Sequence, residues 1–175
     1  MMGKAEVKLA GMGEIVFARG AGVLGCIGLG SCVGTVLFDP RAQAAALAHV
    51  MLPEAQESDA AVQPGKYATT ALPALLRMLD TPPAFASRLK AILIGGGELF
   101  QNRSQALRIG ERNVETLQRL LREARIEIVF EHIRGSSGRS FEFDVATGLI
   151  RVRAMGSKCV EKDLSAVLGI LRRAA

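Results

Sequence analysis

The sequence predicts an α+β fold in which layered, sandwich-like mixed β-sheets are flanked by helices. Short apolar segments with strand-like alternation recur along the 175 residues, while only two or three segments have helical spacing. The two kinds of segment follow each other in mixed order, which favours α+β over a regular alternation of strand and helix. A chain of this length with 49% hydrophobic residues can bury a substantial core. We therefore expect one domain over residues 1–175, with a core from about residue 5 to 155 and a C-terminal helical extension over residues 160–175.

Eight apolar segments bounded by Gly, Pro or Asp are predicted to be strands. They are Glu6–Leu9, Glu14–Ala18, Val33–Phe38, Ala44–Met51, Leu89–Ile94, Ile126–Phe130, Arg139–Phe143 and Leu149–Val152. The alanines of the fourth segment would equally tolerate a helix. The glycine-rich stretch 20–34 is too apolar for a flexible linker and too irregular for a helix.

Three segments are predicted to be helices, with polar or proline-broken loops at Pro53–Pro64 and Thr81–Phe85. Tyr67–Leu79 carries apolar residues on one broad face, although Pro73 within it suggests a kink or a late start. Asn113–Arg122 has the clearest apolar stripe, and Leu164–Arg173 reads as a terminal helix.

Composition argues against several classes of function. The net charge of +5 favours acidic partners only mildly, and with 5% aromatic residues and no recognition motif we expect no nucleic-acid partner. No apolar run approaches the roughly 18 residues of a membrane span, and the N-terminus does not resemble a secretory signal. Three cysteines without framework spacing indicate reduced thiols, so we expect a cytoplasmic protein that does not insert into membranes.

Cys32 and His49 are the strongest candidates for catalysis. Cys32 ends a small-residue turn that begins at Gly28 and runs into a predicted strand, and His49 lies 17 positions later in another. Free cysteines are most often inert packing groups, and a lone histidine in an apolar segment is most often buried and hydrogen-bonded. However, glycines permit a sharply exposed nucleophile, and successive N–H groups of such a turn can face an oxyanion. An imidazole can take the thiol proton.

Other motifs have simpler explanations. Cys26, Cys32 and His49 offer three soft ligands, but a spacing of six between the cysteines fits no compact zinc site, so we expect no metal. Gly95–Gly97 lacks the ending of a phosphate-binding loop, which makes close backbone packing beside an active site the better explanation. The charged run Glu111-Arg112-Asn113 is either a helix entry or a contact with substrate or a partner.

Together, the ordered segments resemble the chemoreceptor glutamine deamidase family, CheD. The resemblance runs from about residue 5 to 155. It rests on Leu29–Val33, Phe38–Pro40, Ala48–Pro53, Tyr67-Ala68 with Ala71, Gly95–Gly97, Ile109–Asn113, Gly138-Arg139, and Phe143-Asp144 with Thr147-Gly148.

The resemblance implies a fold similar to the catalytic domains of bacterial deamidating toxins. It implies a protein-glutamine amidohydrolase that converts glutamine to glutamate in the cytoplasmic part of methyl-accepting chemotaxis receptors. Cys32 would be the nucleophile of a thioester mechanism, His49 its acid and base, and the N–H groups of Ser31 and Cys32 the oxyanion donors, with no cofactor. Some members also bind a CheC-type phosphatase. The alternative is a chemotaxis adaptor that binds receptor or phosphatase with weak or no catalysis.

The chain departs from the family pattern at two places. Family members usually carry, six positions before the nucleophile, a threonine that orients the histidine; here that position is Cys26, and a thiol is the weaker hydrogen-bond partner. The orienting contact would then come from the backbone, or activity would fall. In the Glu131–Gly135 segment, His132 and Arg134 replace small or acidic residues. A further hypothesis is a reversible Cys26–Cys32 disulfide, with a merely buried Cys26 as its alternative.

Overall fold

The computed structural model describes residues 6–56, 63–98 and 108–170. In these ranges, the chain forms ten strands, two α-helices and one 3-10 helix, Pro83–Arg88. The strands are β1 Val7–Leu9, β2 Ile15–Arg19, β3 Val23–Leu29, β4 Val33–Asp39, β5 Ala44–Val50, β6 Lys90–Gly95, β7 Glu127–Ile133, β8 Arg139–Asp144, β9 Leu149–Ala154 and β10 Val160–Asp163. The helices are α1 Ala68–Met78 and α2 Ile109–Glu123.

The strands form two five-stranded mixed sheets. Sheet I has the order β1-β3-β8-β9-β10, and sheet II has the order β2-β5-β4-β6-β7. Each sheet contains one parallel pair, β1 with β3 and β6 with β7, and is otherwise antiparallel. The prediction of an α+β fold with layered mixed sheets is confirmed.

Sheet II lies between sheet I and the two helices, so its central strands are buried on both faces. One apolar cluster fills the space between the sheets, where Phe38 and Phe143 meet edge to face at 6.2 Å. The other cluster packs Leu37 of β4 against Leu75 of α1 and Leu117 of α2. Burial on both faces explains why β4 and β5 are continuous apolar runs rather than alternating ones.

The helix predictions are confirmed at α1 and α2. Pro73 lies inside α1 without ending it, and it is on the exposed face of the helix. Helix α2 begins at Ile109, four residues earlier than predicted. No helix within the described ranges is long and apolar enough to cross a membrane.

The sequence does not predict two of the strands. The predicted terminal helix Leu164–Arg173 is wrong over residues 164–170, the part that the structure describes. The glycine-rich stretch contains β3, and β10 lies in the expected C-terminal helical extension. From Leu164 the chain makes a single helical turn, with Leu168 N–H donating to Leu164 C=O, and Gly169 at φ +66° then ends it. Residues 171–173 of the predicted helix and 57–62 of the predicted loop lie outside the described residues.

Candidate active site

Neighbouring strands of sheet II bring Cys32 and His49 together. Gly34 of β4 is directly opposite His49 of β5. Cys32 lies two residues before Gly34, and alternate residues point to the same face of a sheet. Cys32 and His49 are therefore diagonal neighbours on the face that packs against sheet I, a relation that typically separates residues by about 7–8 Å. The imidazole is 4% exposed, while the thiol is half-buried.

The main chain of the β1–β2 connection holds the imidazole in one tautomer. His49 Nδ1 lies 3.1 Å from the carbonyl oxygen of Ala10. Because a carbonyl only accepts hydrogen bonds, Nδ1 carries a proton, and the tautomer of the neutral ring is the one with the lone pair on Nε2. The His49 backbone is also held, with its N–H donating to Glu14 C=O and its C=O accepting from Gly13 N–H. This arrangement leaves Nε2 able to act as a base.

A glycine run packs directly against the turn that carries Cys32. Gly96 N–H donates to Cys32 C=O and Gly97 N–H donates to Gly30 C=O, both at 2.8 Å. A Cβ on Gly95 would lie 2.2 Å from the Cys32 carbonyl oxygen, which only glycine avoids. The expectation that Gly95–Gly97 provides close backbone packing is confirmed.

The same turn contains two amide groups, the N–H of Ser31 and of Cys32, whose peptide carbonyls are held by other residues. No backbone hydrogen bond from the N–H of Ser31 or Cys32 is found within residues 6–56, 63–98 and 108–170. The carbonyls of their peptide units, Gly30 C=O and Ser31 C=O, are occupied by Gly97 N–H and the Asn113 amide. Because a trans peptide points its C=O and N–H in opposite directions, both N–H groups face away from these contacts. They remain candidates for oxyanion donors.

Burial disfavours the thiolate at both interior cysteines. Desolvation raises the pKa of Cys32, and only the backbone N–H of Cys32 itself opposes the rise. Desolvation raises the pKa of Cys26 to about 12, with a smaller contribution from the nearby Cys32 charge. A thiol of raised pKa is mostly protonated near neutrality, so Cys32 needs a neighbouring base to become a nucleophile.

Cys26 lies across the intersheet space in sheet I. It is opposite Phe141 in the β3–β8 ladder, is fully buried, and belongs to the same apolar cluster that Cys32 packs against. All three cysteines are free, and Cys159 is exposed. Within the described ranges, no group of three His, Cys, Asp or Glu side chains is arranged to hold a metal ion.

The charged run at the start of α2 divides into exposed and buried residues. Glu111 pairs with Arg108 at 3.1 Å and is partly exposed, and Arg112 is exposed, so both remain candidates for contact with substrate or partner. Asn113 is fully buried and lies below that surface. Its Nδ2 donates to Ser31 C=O at 3.0 Å and to Met51 C=O at 2.9 Å.

Two contributions to the site have no signal in the sequence. Ala10 acts through its carbonyl oxygen, which every residue possesses. Glu98 caps α2, since its Oε1 accepts from Gly110 N–H at 2.9 Å and from Glu111 N–H at 3.3 Å. A capping carboxylate 11 residues before the helix start is far outside the spacing of a capping box.

Arg139 of β8 holds the loop that differs from the family pattern. Its guanidinium donates to the carbonyls of His132, Arg134 and Ser137, and contacts His132 Nδ1 at 2.9 Å. The loop then reaches the glycine run, with Gly135 C=O accepting from Glu98 N–H. Desolvation lowers the pKa of His132. His132 and Arg134 therefore belong to the structure that supports the site.

Fold and site define an α+β protein with a candidate thiol–imidazole active site between two mixed sheets. The sequence model described as CheD chemotactic sensory transduction matches residues 51–154. Similar curated proteins include the probable chemoreceptor glutamine deamidase CheD of Pyrococcus abyssi, 40% identical over 159 residues that cover 90% of this chain and 97% of the relative. The chemoreceptor glutamine deamidase CheD of Thermotoga maritima is 39% identical, covering 85% and 92%. That of Halalkalibacterium halodurans is 38% identical, covering 86% and 94%. The chain belongs to the CheD family.

Proposed function

We propose that this chain is a protein-glutamine deamidase that converts glutamine side chains of chemotaxis receptors to glutamate, with Cys32 as nucleophile and His49 as acid and base. Membership of the CheD family and the names of its relatives support the activity and the substrate class. The observation that carries the mechanism is the β4–β5 register, in which Gly34 opposite His49 places the thiol and imidazole on one face.

The first half of the reaction forms a thioester. His49 Nε2 takes the proton from Cys32 Sγ, and the sulfur attacks the carbon of the glutamine carboxamide. Negative charge moves to the amide oxygen, which the N–H groups of Ser31 and Cys32 receive. The C–N bond then breaks, the imidazolium gives its proton to the departing nitrogen, and ammonia leaves an acyl group on Cys32.

The second half hydrolyses that thioester. His49 Nε2 removes a proton from a water molecule as its oxygen adds to the acyl carbon. The C–S bond breaks, the sulfur recovers a proton from the imidazolium, and the product acid ionises to glutamate. The net change is glutamine plus water to glutamate plus ammonium, with the protein groups restored and no cofactor in any step.

Cys26 takes no part in proton transfer in this mechanism. With a pKa of about 12, its thiol stays neutral, and the Ala10 carbonyl already bonds His49 Nδ1. The backbone therefore supplies the orienting contact that the family usually assigns to threonine.

We further propose that the reaction occurs in the cytoplasm, on the cytoplasmic part of methyl-accepting receptors, and that a CheC-type phosphatase is a second partner. Exposed Arg112 and partly exposed Glu111, at the start of α2, are the proposed contact residues. Substituting both by alanine should weaken co-sedimentation with a receptor fragment or the phosphatase while Cys32 alkylation stays unchanged. Unchanged binding to both would remove these residues from the interface.

Incubation with a purified receptor cytoplasmic fragment encoded in the same genome, followed by peptide mass spectrometry, tests the activity. We expect glutamine-to-glutamate conversion and ammonia release by the wild type. Cys32→Ala and His49→Asn should abolish both, while Cys159→Ser, which changes an exposed thiol, should convert normally. Conversion by Cys32→Ala would reject the mechanism. Binding of the fragment without ammonia release by the wild type would favour the adaptor.

A further inference from the structure

Asn113 joins the two chain segments that carry the candidate catalytic residues. It is the fifth residue of α2 and is fully buried. Its Nδ2 donates to Ser31 C=O, immediately before Cys32, and to Met51 C=O, two residues after His49. Since both contacts are carbonyl oxygens, the atom between them must be the NH2 nitrogen, and the orientation of the amide is fixed.

The contact lies just beyond the end of the β4–β5 ladder. The last paired residues of that ladder are Val33 and Val50. Beyond this pair the β4–β5 ladder does not continue in the described residues. The Asn113 amide bridges Ser31 to Met51 instead. One helix side chain thus links the two segments at the site.

The bridge also fixes the direction of one amide. Ser31 C=O and Cys32 N–H belong to one planar trans peptide, so a carbonyl held toward Asn113 aims the N–H to the opposite side. Gly97 N–H holds the preceding Gly30 C=O in the same way and so aims Ser31 N–H. Of the two candidate oxyanion donors, one is thus aimed by a glycine backbone and the other by Asn113.

We propose that Asn113 is a positioning residue for deamidation that aims the Cys32 N–H at the oxyanion of the reacting amide. The inference rests on the proposed function, because it presumes attack by Cys32 on a carboxamide. Asn113 touches neither substrate nor sulfur in this role. Its Oδ1 is buried and has no hydrogen-bond partner in the described residues. Such an orphaned acceptor is unfavourable and is tolerated most readily at functional sites.

The test separates oxyanion stabilisation from thiol activation. Asn113→Ala removes the donor, and Asn113→Asp replaces it by an acceptor of the same shape. For both we expect kcat for receptor deamidation to fall about 100-fold with KM nearly unchanged, as for a misplaced catalytic group. Alkylation of Cys32 by iodoacetamide creates no oxyanion, so its rate and pH profile in Asn113→Ala, which adds no charge, should stay those of the wild type.

Gln118→Ala is the matched control, because it removes a carboxamide of the same helix that bonds Glu131 Oε1 at 2.8 Å, away from the site. Its kcat should be unchanged. If the Asn113 variants kept the kcat of the wild type while Cys32→Ala was inactive, this inference would fail and the proposed function would stand. If the rate of Cys32 alkylation fell as much as kcat, the substitution would have disrupted the whole site, and the inference would also fail. An active Cys32→Ala would instead reject the proposed function.

A measurement on the wild type covers variants that fail to fold. In ¹⁵N-labelled protein, the side-chain NH2 of Asn113 should exchange slowly with solvent, because it is buried and bonded to two carbonyl oxygens. Fast exchange of both NH2 protons would mean that the bridge does not form in solution, and the inference would fail.

Discussion

At the scale of single residues, the two interior thiols differ in what surrounds them. Cys32 lies on a turn and is half-buried, whereas Cys26 is enclosed between the sheets. Both pKa values are raised by desolvation, so neither thiol is a ready-made thiolate. Only Cys32 shares a sheet face with His49, whose Nε2 is left free by the Ala10 contact. Position relative to the imidazole distinguishes the candidate nucleophile.

Cys26→Ala tests whether the backbone orients His49. The change should cost about 1 kcal/mol of unfolding free energy for the small void, while kcat for deamidation stays within a few-fold of the wild type. Cys26→Thr, which restores the usual hydroxyl, is the comparison. A large loss of kcat in Cys26→Ala that Cys26→Thr does not share would show that a polar side chain there is required.

The pKa of Cys26 makes a prediction about stability in alkali. Its folded value of about 12 lies above its ordinary value of 9.0, so the folded protein holds this proton more tightly than the unfolded chain. The associated stability is complete below pH 9.0 and is lost as the pH rises toward about 12. Urea unfolding from pH 8 to 11 should give a steeper decline for the wild type than for Cys26→Ala. Parallel declines would contradict the assignment.

The Cys26–Cys32 disulfide stays a prediction of the sequence. Both thiols border the same apolar cluster, and both are free. A peroxide equivalent would oxidise the Cys32 thiolate to a sulfenic acid, and the Cys26 thiol would then displace water to form the disulfide. Mass spectrometry after peroxide treatment should find a loss of two hydrogen atoms, reversible by dithiothreitol. Protein that gains oxygen atoms but no disulfide would dismiss it.

At the scale of elements, local signals predict all five strands of sheet II but miss β3 and β10 of sheet I. Strands β4, β5 and β6 are nearly continuous apolar runs because they are covered on both faces. Strand β3 is interrupted by glycines and a register shift between Cys26 and Leu29, so its pairing with β8 is decided by contacts distant in sequence. Strand β10 is exposed throughout, so it has no buried apolar face from which the sequence could predict it.

The candidate site shows the same difference between features that the local sequence predicts and features that depend on distant contacts. Cys32 and His49 are candidates from sequence because thiol and imidazole are rare, reactive side chains in this chain. Their shared face depends on the β4–β5 register, which strand prediction alone does not determine. The contributions of Ala10 and Gly97 are made by backbone atoms. Residue type carries no information about these contacts, so they require the structure.

Gly96→Ala tests how closely α2 must pack on the Cys32 turn. A Cβ there would lie 2.3 Å from Val114 Cγ2 of α2, at a backbone φ of +64°. Gly20→Ala is the matched control, with φ +69° and no atom within 4 Å of its Cβ. The control should lose only about 1–2 kcal/mol of unfolding free energy, the conformational cost of a side chain at positive φ. Gly96→Ala should lose more stability in thermal unfolding and most of its kcat; equal effects would show that the packing is loose.

At the scale of the whole molecule, the site lies where the two sheets and α2 converge. Phe141 of sheet I packs so closely on Gly34 of sheet II that a Cβ there would lie 2.4 Å from its ring. Asn113 of α2 reaches the same end from the helical side. The relative position of three layers therefore decides the geometry around Cys32, and contacts that tie the layers together should influence activity from a distance.

Arg139 is the clearest of these contacts, because it is the first residue of β8 in sheet I and donates to carbonyls at and after the end of β7 in sheet II. It is 5% exposed and bonds the carbonyls of His132, Arg134 and Ser137. Arg139→Lys keeps the charge but loses the planar fork, so one ammonium must serve carbonyls that the guanidinium reached together. The loss of a charged hydrogen bond predicts a destabilisation of about 2 kcal/mol.

Arg153→Lys, at an exposed position of β9, is the control for this change. Thermal unfolding should show a lowered Tm for Arg139→Lys alone. Hydrogen exchange should be faster at Gly96 and Gly97, which bond the Cys32 turn, and unchanged in the β9–β10 pair. Because loosening these amides releases the turn, kcat should fall with Tm. Equal Tm in the two variants, or faster exchange spread over both sheets, would mean that Arg139 does not tie the layers at the site.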